Sequence, residues 1–377
     1  MERVYWGRSI LDVLPEELAI IGACRVFIVT NRTLANTALL ATIVALLEHR
    51  YVGCYAQVTA HAPRECAIAG AAAARETDAD LLLAVGGGSV IDAAKAMLMC
   101  LRHGYTSADQ LDRHANVRIP DLGYAPSDAE LWRRVIAVPT TLSAAEFASS
   151  AGLTDPTRGL KQAFSHPMQM PQAVILDPAM TMPTPLPLLK ATGMKAVDHA
   201  AERMTSATAN LYSDAVSELA LRLLGEALMQ IEGRPEDLGL RSKLQYGMFM
   251  SMCGAAAGVA VNVSHALGHV LGGHSGVPHG QTTGLILPAV LRWNKAVTVE
   301  AQTRIAAALD GPPGDGAAAI SILVETLSLP TRLRDVGISN DEIPELARKA
   351  MHESLLANSR IPVKRADQLE TILQSAW

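Results

Sequence analysis

Four short apolar runs separated by three helical patterns fill the first 141 residues, and few folds accommodate that alternation. "CRVFIVT" (24–30), "VGCYAQVTA" (52–60), "LLLAVGGG" (81–88) and "RVIAVPTT" (134–141) are rich in valine, isoleucine and leucine. Runs of this length bounded by turn residues read as strands buried on both faces. Between them lie "NRTLANTALLATIVALLEHR", "PRECAIAGAAAARETDA" and "SVIDAAKAMLMCL", all with helical spacing. The order β-α-β-α-β-α-β implies a mainly parallel sheet with helices on both faces. One more strand, "AVILD" (173–177), follows, and after about residue 185 the strand signals fade into helices broken near Gly233–Glu236 and Gly311–Gly316.

A chain of 377 residues exceeds one ordinary core, so two domains are expected. Turn signals in "LTDPTRGLKQAFSHPMQMPQ" set the division after residue 160: an α/β domain over 1–160 and a helical domain over 161–377. The formal net charge of -5 and an aromatic content of 4% give neither a basic surface nor stacking platforms for nucleic acid. Five scattered cysteines without a CxxC pair indicate no disulfide framework and no cysteine zinc site, as in a reduced, cytoplasmic protein. The N-terminus lacks the apolar core of a signal peptide. From Leu244 to Ser264 no residue is charged, long enough to cross a bilayer, but its glycine, alanine and trailing histidines favour a helix buried on all sides. No membrane partner is expected.

"AVGGGSVIDAAKA" sets Gly86, Gly87, Gly88 and Ser89 between a strand and a helix. Glycines allow close backbone approach, and the N–H groups that open the helix attract phosphate. The loop matches neither GxGxxG nor a Walker loop, so it implies a diphosphate without identifying its owner. Asp92 and Lys95 are spaced for a local pair.

"VSHALGHVLGGHSGVPHGQT" holds His265, His269, His274 and His279. His265 and His269 are four apart and share a helix face. "GMKAVDHAAE" (193–202) adds His199, preceded one turn earlier by Lys195. Histidines at such spacing suit a metal with a distant further ligand, or proton transfer near neutral pH. An ammonium, with three donors and no lone pair, is no metal ligand.

In order along the chain, "GGGSVIDAAKA", "VPTTLSAAEF", "LTD…LK", "AVILDP", "ATGMKAVDHAAE" and "SHALGHVLGGHSGVPHG" resemble the iron-containing alcohol dehydrogenase family over nearly the whole length. The resemblance implies a dehydroquinate synthase-like fold: an α/β nucleotide-binding domain, an all-helical domain, and an active site in the cleft between. It implies NAD or NADP as coenzyme, held by Gly86, Gly87, Gly88, Ser89, Asp92, Thr140, Thr141 and Lys161, with His269 near the nicotinamide. Asn31 falls where NAD-preferring members carry an acidic residue for the ribose 2′-hydroxyl, and Arg32 can pair with a 2′-phosphate. The family's metal ligands, one aspartate and three histidines, land on Lys195, His199, His265 and His279. Asp198 is rotated by about 100° from His199 round the helix and is not expected to substitute.

A cation in place of the anionic ligand predicts a site without metal, in which Lys195 polarises a substrate carbonyl or holds a carboxylate. Lys195, His199, His265, His269 and His279 are then the expected catalytic residues. Within the family the chain most resembles the maleylacetate reductase branch, which reduces maleylacetate to 3-oxoadipate with NADH or NADPH during aromatic-compound degradation. A small carboxylated keto or enol substrate and a homodimer or larger homo-oligomer are implied. The alternatives are an alcohol dehydrogenase of a small alcohol or aldehyde with iron or zinc at His199, His265 and His279, a synthase of the dehydroquinate type, or a coenzyme-binding protein without chemistry.

Overall fold

Strand-forming sequence collects in the first part of the chain. The computed structural model describes residues 1–116, 132–158, 160–275, 277 and 279–377, with the backbone alone for Leu160, Ser275 and His279. It divides into Met1–Thr184 and Pro185–Trp377.

In the first unit β1 (Arg3–Trp6) and α1 (Ile10–Ile21) precede β2 (Val26–Val29), α2 (Arg32–Ala35), α3 (Ala38–Leu47) and β3 (Tyr51–Tyr55). Then come α4 (Arg64–Glu76), β4 (Leu81–Gly86), α5 (Gly88–His103), β5 (Arg134–Pro139), β6 (Ser150–Asp155), β7 (Leu160–Ser165) and β8 (Ala173–Leu176). Six strands form one sheet in the order β1-β8-β5-β4-β2-β3, and every pairing is parallel. The central strands β2, β4 and β8 are buried at every residue, as sheets covered on both faces require.

The chain runs outward from β2 to the edge strand β3, then returns across β2 to β4 and continues through β5 to β8. The direction of winding therefore reverses between β2 and β4. In open parallel sheets, ligands bind beyond the carboxyl ends of the strands at such a reversal. Asn31 follows β2 there, and the glycine loop follows β4, with Val29 and Ala84 in register just before them.

Three expectations change. The division falls at Thr184, not at residue 160, because β7 pairs antiparallel with β6 and β8 adds to the parallel sheet. A boundary at 160 would cut through that hairpin. The edge strand β1 and the hairpin β6–β7 are additions to the expected strands. The strands β2, β3, β4 and β5 are also shorter than the apolar runs that signal them.

The second unit is helical throughout its described elements: α6 (Leu186–Thr205), α7 (Leu211–Ile231), α8 (Leu238–Ala256), α9 (Val263–Ser275), α10 (His279–Asn294), α11 (Val299–Ala308), α12 (Gly316–Thr326), α13 (Ile343–Ala350) and α14 (Ala366–Ala376). One core packs Leu267 and Leu271 of α9 and Ile286 and Val290 of α10 against Leu346 and Leu373. The charge-free stretch is not one helix buried on all sides. α8 ends at Ala256, Gly258 turns the chain in the left-handed region (φ 76), and α9 starts at Val263. Only one face of α8 is fully buried. Among the described residues no helix is long and apolar enough to cross a membrane.

Candidate active site

Two groups of side chains stand out, one in each unit. In the first, Gly86 ends β4, Gly87 precedes α5 with no side-chain cap, and Gly88 is its first residue. The opening N–H groups of α5 are therefore not covered by a capping side chain from Gly87, which favours an anion. These glycines are required by close approach. A Cβ on Gly86 would lie 2.6 Å from Val90, one on Gly87 2.9 Å from Thr141, and one on Gly88 2.8 Å from the Ser143 hydroxyl. The loop is thus packed against the segment after β5, which the Thr140 N–H joins to the Gly86 carbonyl at 3.0 Å. The hydroxyls of Thr141 and Ser143 are buried and make no hydrogen bond among the described residues.

That segment is tied to α5 by Lys95, fully buried, whose ammonium donates to the carbonyls of Ala145 (2.8 Å), Ala148 (3.2 Å) and Ser150. Asp92 pairs with the same ammonium at 3.2 Å, as the spacing suggested. Lys161 on β7 reaches over Gly152, where a Cβ would meet its Cε at 2.9 Å and the Asp92 carboxylate at 3.6 Å. The Ser89 hydroxyl accepts from the His61 N–H at 3.1 Å. Thus Gly86, Gly87, Gly88, Ser89, Asp92, Thr140, Thr141 and Lys161 are brought together. Asn31 caps α2, its Oδ1 accepting from the Leu34 N–H at 2.9 Å, and the following Arg32 is exposed. This cradle can hold a diphosphate with ribose groups on either side.

In the second unit, α6 presents Lys195, Asp198, His199 and Glu202 at spacings of three and four, so all four share one face. Arg203 anchors this helix by donating to the carbonyls of His199 (2.9 Å) and Ser251 (2.8 Å). The His199 ring stacks on His265 of α9 with centroids 4.8 Å apart. His265 Nδ1 lies 2.8 Å from Glu202 and 3.1 Å from Asp198. Asp198 therefore faces the site after all: it lies one turn from Lys195, and α9 packs on that side of α6. His269, one turn beyond His265, is 41% exposed, with Nδ1 3.2 Å from Glu353.

Burial sets the charges here. It holds His265 down to about 4, against the opposing pull of Glu202, and holds His199 well below the usual range, with His265 and Lys195 adding to the effect. Both rings are neutral at neutral pH. Burial and the neighbouring Glu202 push the Asp198 carboxyl well above the carboxylate range. Lys195 is half-buried and acts electrostatically on Asp198, His199 and His265.

His274 does not join the cluster. Its ring contacts Glu342 at 2.9 Å and Lys349 at 3.2 Å, at the far end of α9. The side chain of His279 lies outside the described residues. Sequence reasoning passed over Ser143 and Glu202; it read Lys95 only as a local partner of Asp92, and Asp198 only as a carboxylate not expected to replace the missing ligand. Of the two passed over, only Glu202 left a trace, as a carboxylate one turn after His199.

Comparison with known proteins agrees with this anatomy. Residues 2–178 match the family model described as iron-containing alcohol dehydrogenase, and residues 190–377 match the C-terminal model of the Fe-containing alcohol dehydrogenase family. A maleylacetate reductase from Sphingobium indicum is 30% identical, covering 93% of this chain and 88% of its own length. One from Burkholderia cepacia is 29% identical, covering 100% and 95%. The crystal structure of an iron-containing alcohol dehydrogenase from Corynebacterium glutamicum, 24% identical, superposes with a TM-score of 0.82 over 100% of this chain and 94% of that one, which speaks for the fold. The fold and site define an NAD(P)-dependent oxidoreductase. The chain belongs to the iron-containing alcohol dehydrogenase family, in the branch that resembles maleylacetate reductases.

Proposed function

We propose that the protein reduces the carbon–carbon double bond of maleylacetate to give 3-oxoadipate, as a step in the degradation of aromatic compounds, with NADH or NADPH and without a metal. The observation that carries this is Lys195 on the α6 face that holds His199, acting on both His199 and His265. A dicarboxylate with a keto group suits a fixed cation there.

The family's name makes the donor set worth testing against a metal. For a divalent ion the described residues offer the rings of His199 and His265, beside an ammonium that repels it. The one described group of ligand atoms lying within 4.8 Å of one another is Asp198, Glu202 and His265. Glu202 already accepts from the N–H groups of Asn262, Ser264 and His265, and its contact with His265 Nδ1 is a hydrogen bond. On this reading the Lys195 ammonium beside the two rings, and the donors that already occupy Glu202, argue against a resident metal.

The coenzyme fits the first unit's cradle, where Gly87 gives α5 no capping side chain and two buried hydroxyls await partners. Gly86, Gly87, Gly88 and Ser89 would hold its diphosphate, Thr140 and Thr141 would border it, and Asp92 and Lys161 would flank its sugar. When bound, it supplies the hydride. Lys195 anchors a substrate carboxylate or the keto oxygen and stabilises negative charge that develops on that oxygen. His199 and His265, neutral, orient the substrate by hydrogen bonding. His269, exposed and bonded to Glu353, delivers the proton that completes the reduction. His279 is assigned to the same site. We further propose a cytoplasmic homodimer or larger homo-oligomer.

Oxidation of NADH and NADPH with maleylacetate, with and without EDTA, tests this. Activity that survives the chelator is expected. Loss of activity on chelation, restored by iron or zinc, would instead establish the metal-dependent alcohol dehydrogenase alternative.

At the adenosine end, Asn31 carries no charge to repel a 2′-phosphate, and the adjacent Arg32 is exposed. Both coenzymes should therefore be used. Asn31→Asp is expected to lower kcat/KM for NADPH by about tenfold or more, from one added negative charge near a phosphate, and to leave NADH within about twofold. Equal effects on the two coenzymes would remove Asn31 from this role.

A further inference from the structure

A carboxylate with no exposed surface has to be matched by donors, and Glu202 is matched by four. Its Oε2 accepts from the N–H of Asn262 at 3.0 Å and of His265 at 3.2 Å, and its Oε1 accepts from the N–H of Ser264 at 2.6 Å. The fourth donor is the His265 ring, Nδ1 to Oε2 at 2.8 Å. The Glu202 carbonyl also accepts from the Asn262 side chain at 2.9 Å. The first N–H groups of a helix have no partner within it, and a negative charge among them is favoured by the helix dipole. Glu202, on α6, thus supplies to α9 the cap that a residue just before a helix normally provides.

We infer that Glu202 is a positioning residue: it holds the start of α9 against α6 and fixes His265 as the tautomer with its proton on Nδ1. An imidazole that donates from Nδ1 carries its lone pair on Nε2. The same carboxylate sets the direction of the ring, since its oxygen is shared between the His265 backbone N–H and the His265 side chain. With Glu202 at the Nδ1 edge and His199 stacked on the ring at a centroid distance of 4.8 Å, the imidazole has one orientation. Carboxylates orient metal-ligating histidines in this way, where their loss typically costs about 10- to 100-fold in metal affinity or activity, and an effect of that order is expected for a histidine held against substrate. The inference rests on the reading of His265 as a residue that touches substrate.

Two measurements test it. Histidine-selective 15N labelling of the full-length protein reads the tautomer directly and needs no substrate. The expected His265 signals are a protonated Nδ1, protected from exchange, and an unprotonated Nε2. A ring protonated at Nε2 alone would overturn the inference, whatever reaction the protein catalyses.

The second measurement uses Glu202→Gln, which can keep an oxygen at the Oε2 position and loses the charge and the bond from Ser264. A fall in kcat of about 10- to 100-fold is expected. KM and the coenzyme Kd should stay within about twofold. Unchanged kcat with a lowered Tm would reduce Glu202 to a helix cap and overturn the inference. If the wild-type protein shows no reductase activity while the labelling gives the Nδ1–H tautomer, the proposed function fails and the positioning stands.

Discussion

Replacing Lys195 with methionine should lower kcat/KM for maleylacetate by about 100- to 1,000-fold, the usual cost of removing one group that stabilises a developing oxyanion. Methionine keeps most of the apolar stem, so lost packing contributes little. The change removes a positive charge from a face where the nearby rings are neutral: burial keeps His199 and His265 uncharged at neutral pH. Neither ring can take over the missing charge, which is why the expected effect is large. The coenzyme Kd should hardly move, because the glycine cradle belongs to the other unit. Lys195→Asp goes further. It restores the carboxylate one turn before His199, and with His199 and His265 it gives a divalent ion an anionic ligand. Elemental analysis should then find metal in the variant and none in the active wild-type protein, while dicarboxylate reduction falls. An active wild-type protein that retains one iron or zinc per chain, or a Lys195→Met variant with full activity, would refute the role given to Lys195.

The parallel sheet was legible because its inner strands are covered on both faces, so β2, β4 and β8 appear as continuous apolar runs. The edge strand β1, with Arg3 at one end and Trp6 exposed at the other, has no such run. The β6–β7 hairpin pairs only with itself and carries Gly152 to make room for Lys161, and its strands, SAGLTD and LKQAFS, mix polar with apolar residues. The helical face of Lys195 and His199 was legible from spacing alone, since i and i+4 meet on any helix. That Asp198 lies beside His265 was not legible, because rotation about α6 says nothing about which helix packs against that side. Glu202, and the role of Lys95 beyond its pair with Asp92, were hidden for a different reason. Their partners are backbone groups far along the chain, Asn262 and Ser264 for one, Ala145 and Ala148 for the other. A main-chain N–H or carbonyl leaves no residue-type signal, so no pattern of side chains points to it.

The glycine loop allows an equally sharp prediction. Gly87→Val should raise the Kd for NADH and NADPH by about 100-fold or more while the protein remains folded. Gly87 has an ordinary extended backbone (φ -81, ψ -172), so valine is not excluded by its own conformation. The obstacle is Thr141, whose Cγ2 would lie 2.9 Å and whose Oγ1 would lie 3.1 Å from the new Cβ. Thr141 is backed by the segment that Lys95 ties to α5, so it has little room to retreat. The loop itself must move, and the N–H groups that open α5 move with it. Overpacking of this kind costs about 1–3 kcal/mol in stability, a modest loss for a chain of this size. The effect on coenzyme affinity should be larger, because several N–H groups lose their common focus at once. A second substitution separates the two effects. In Gly87→Ala the clash is with the same two atoms, and adding Thr141→Ala removes both of them. If the loop's position is what matters, the double variant should bind coenzyme more tightly than Gly87→Ala alone, a non-additivity expected of residues in contact. Wild-type affinity in Gly87→Val would show instead that the coenzyme diphosphate does not sit on this loop.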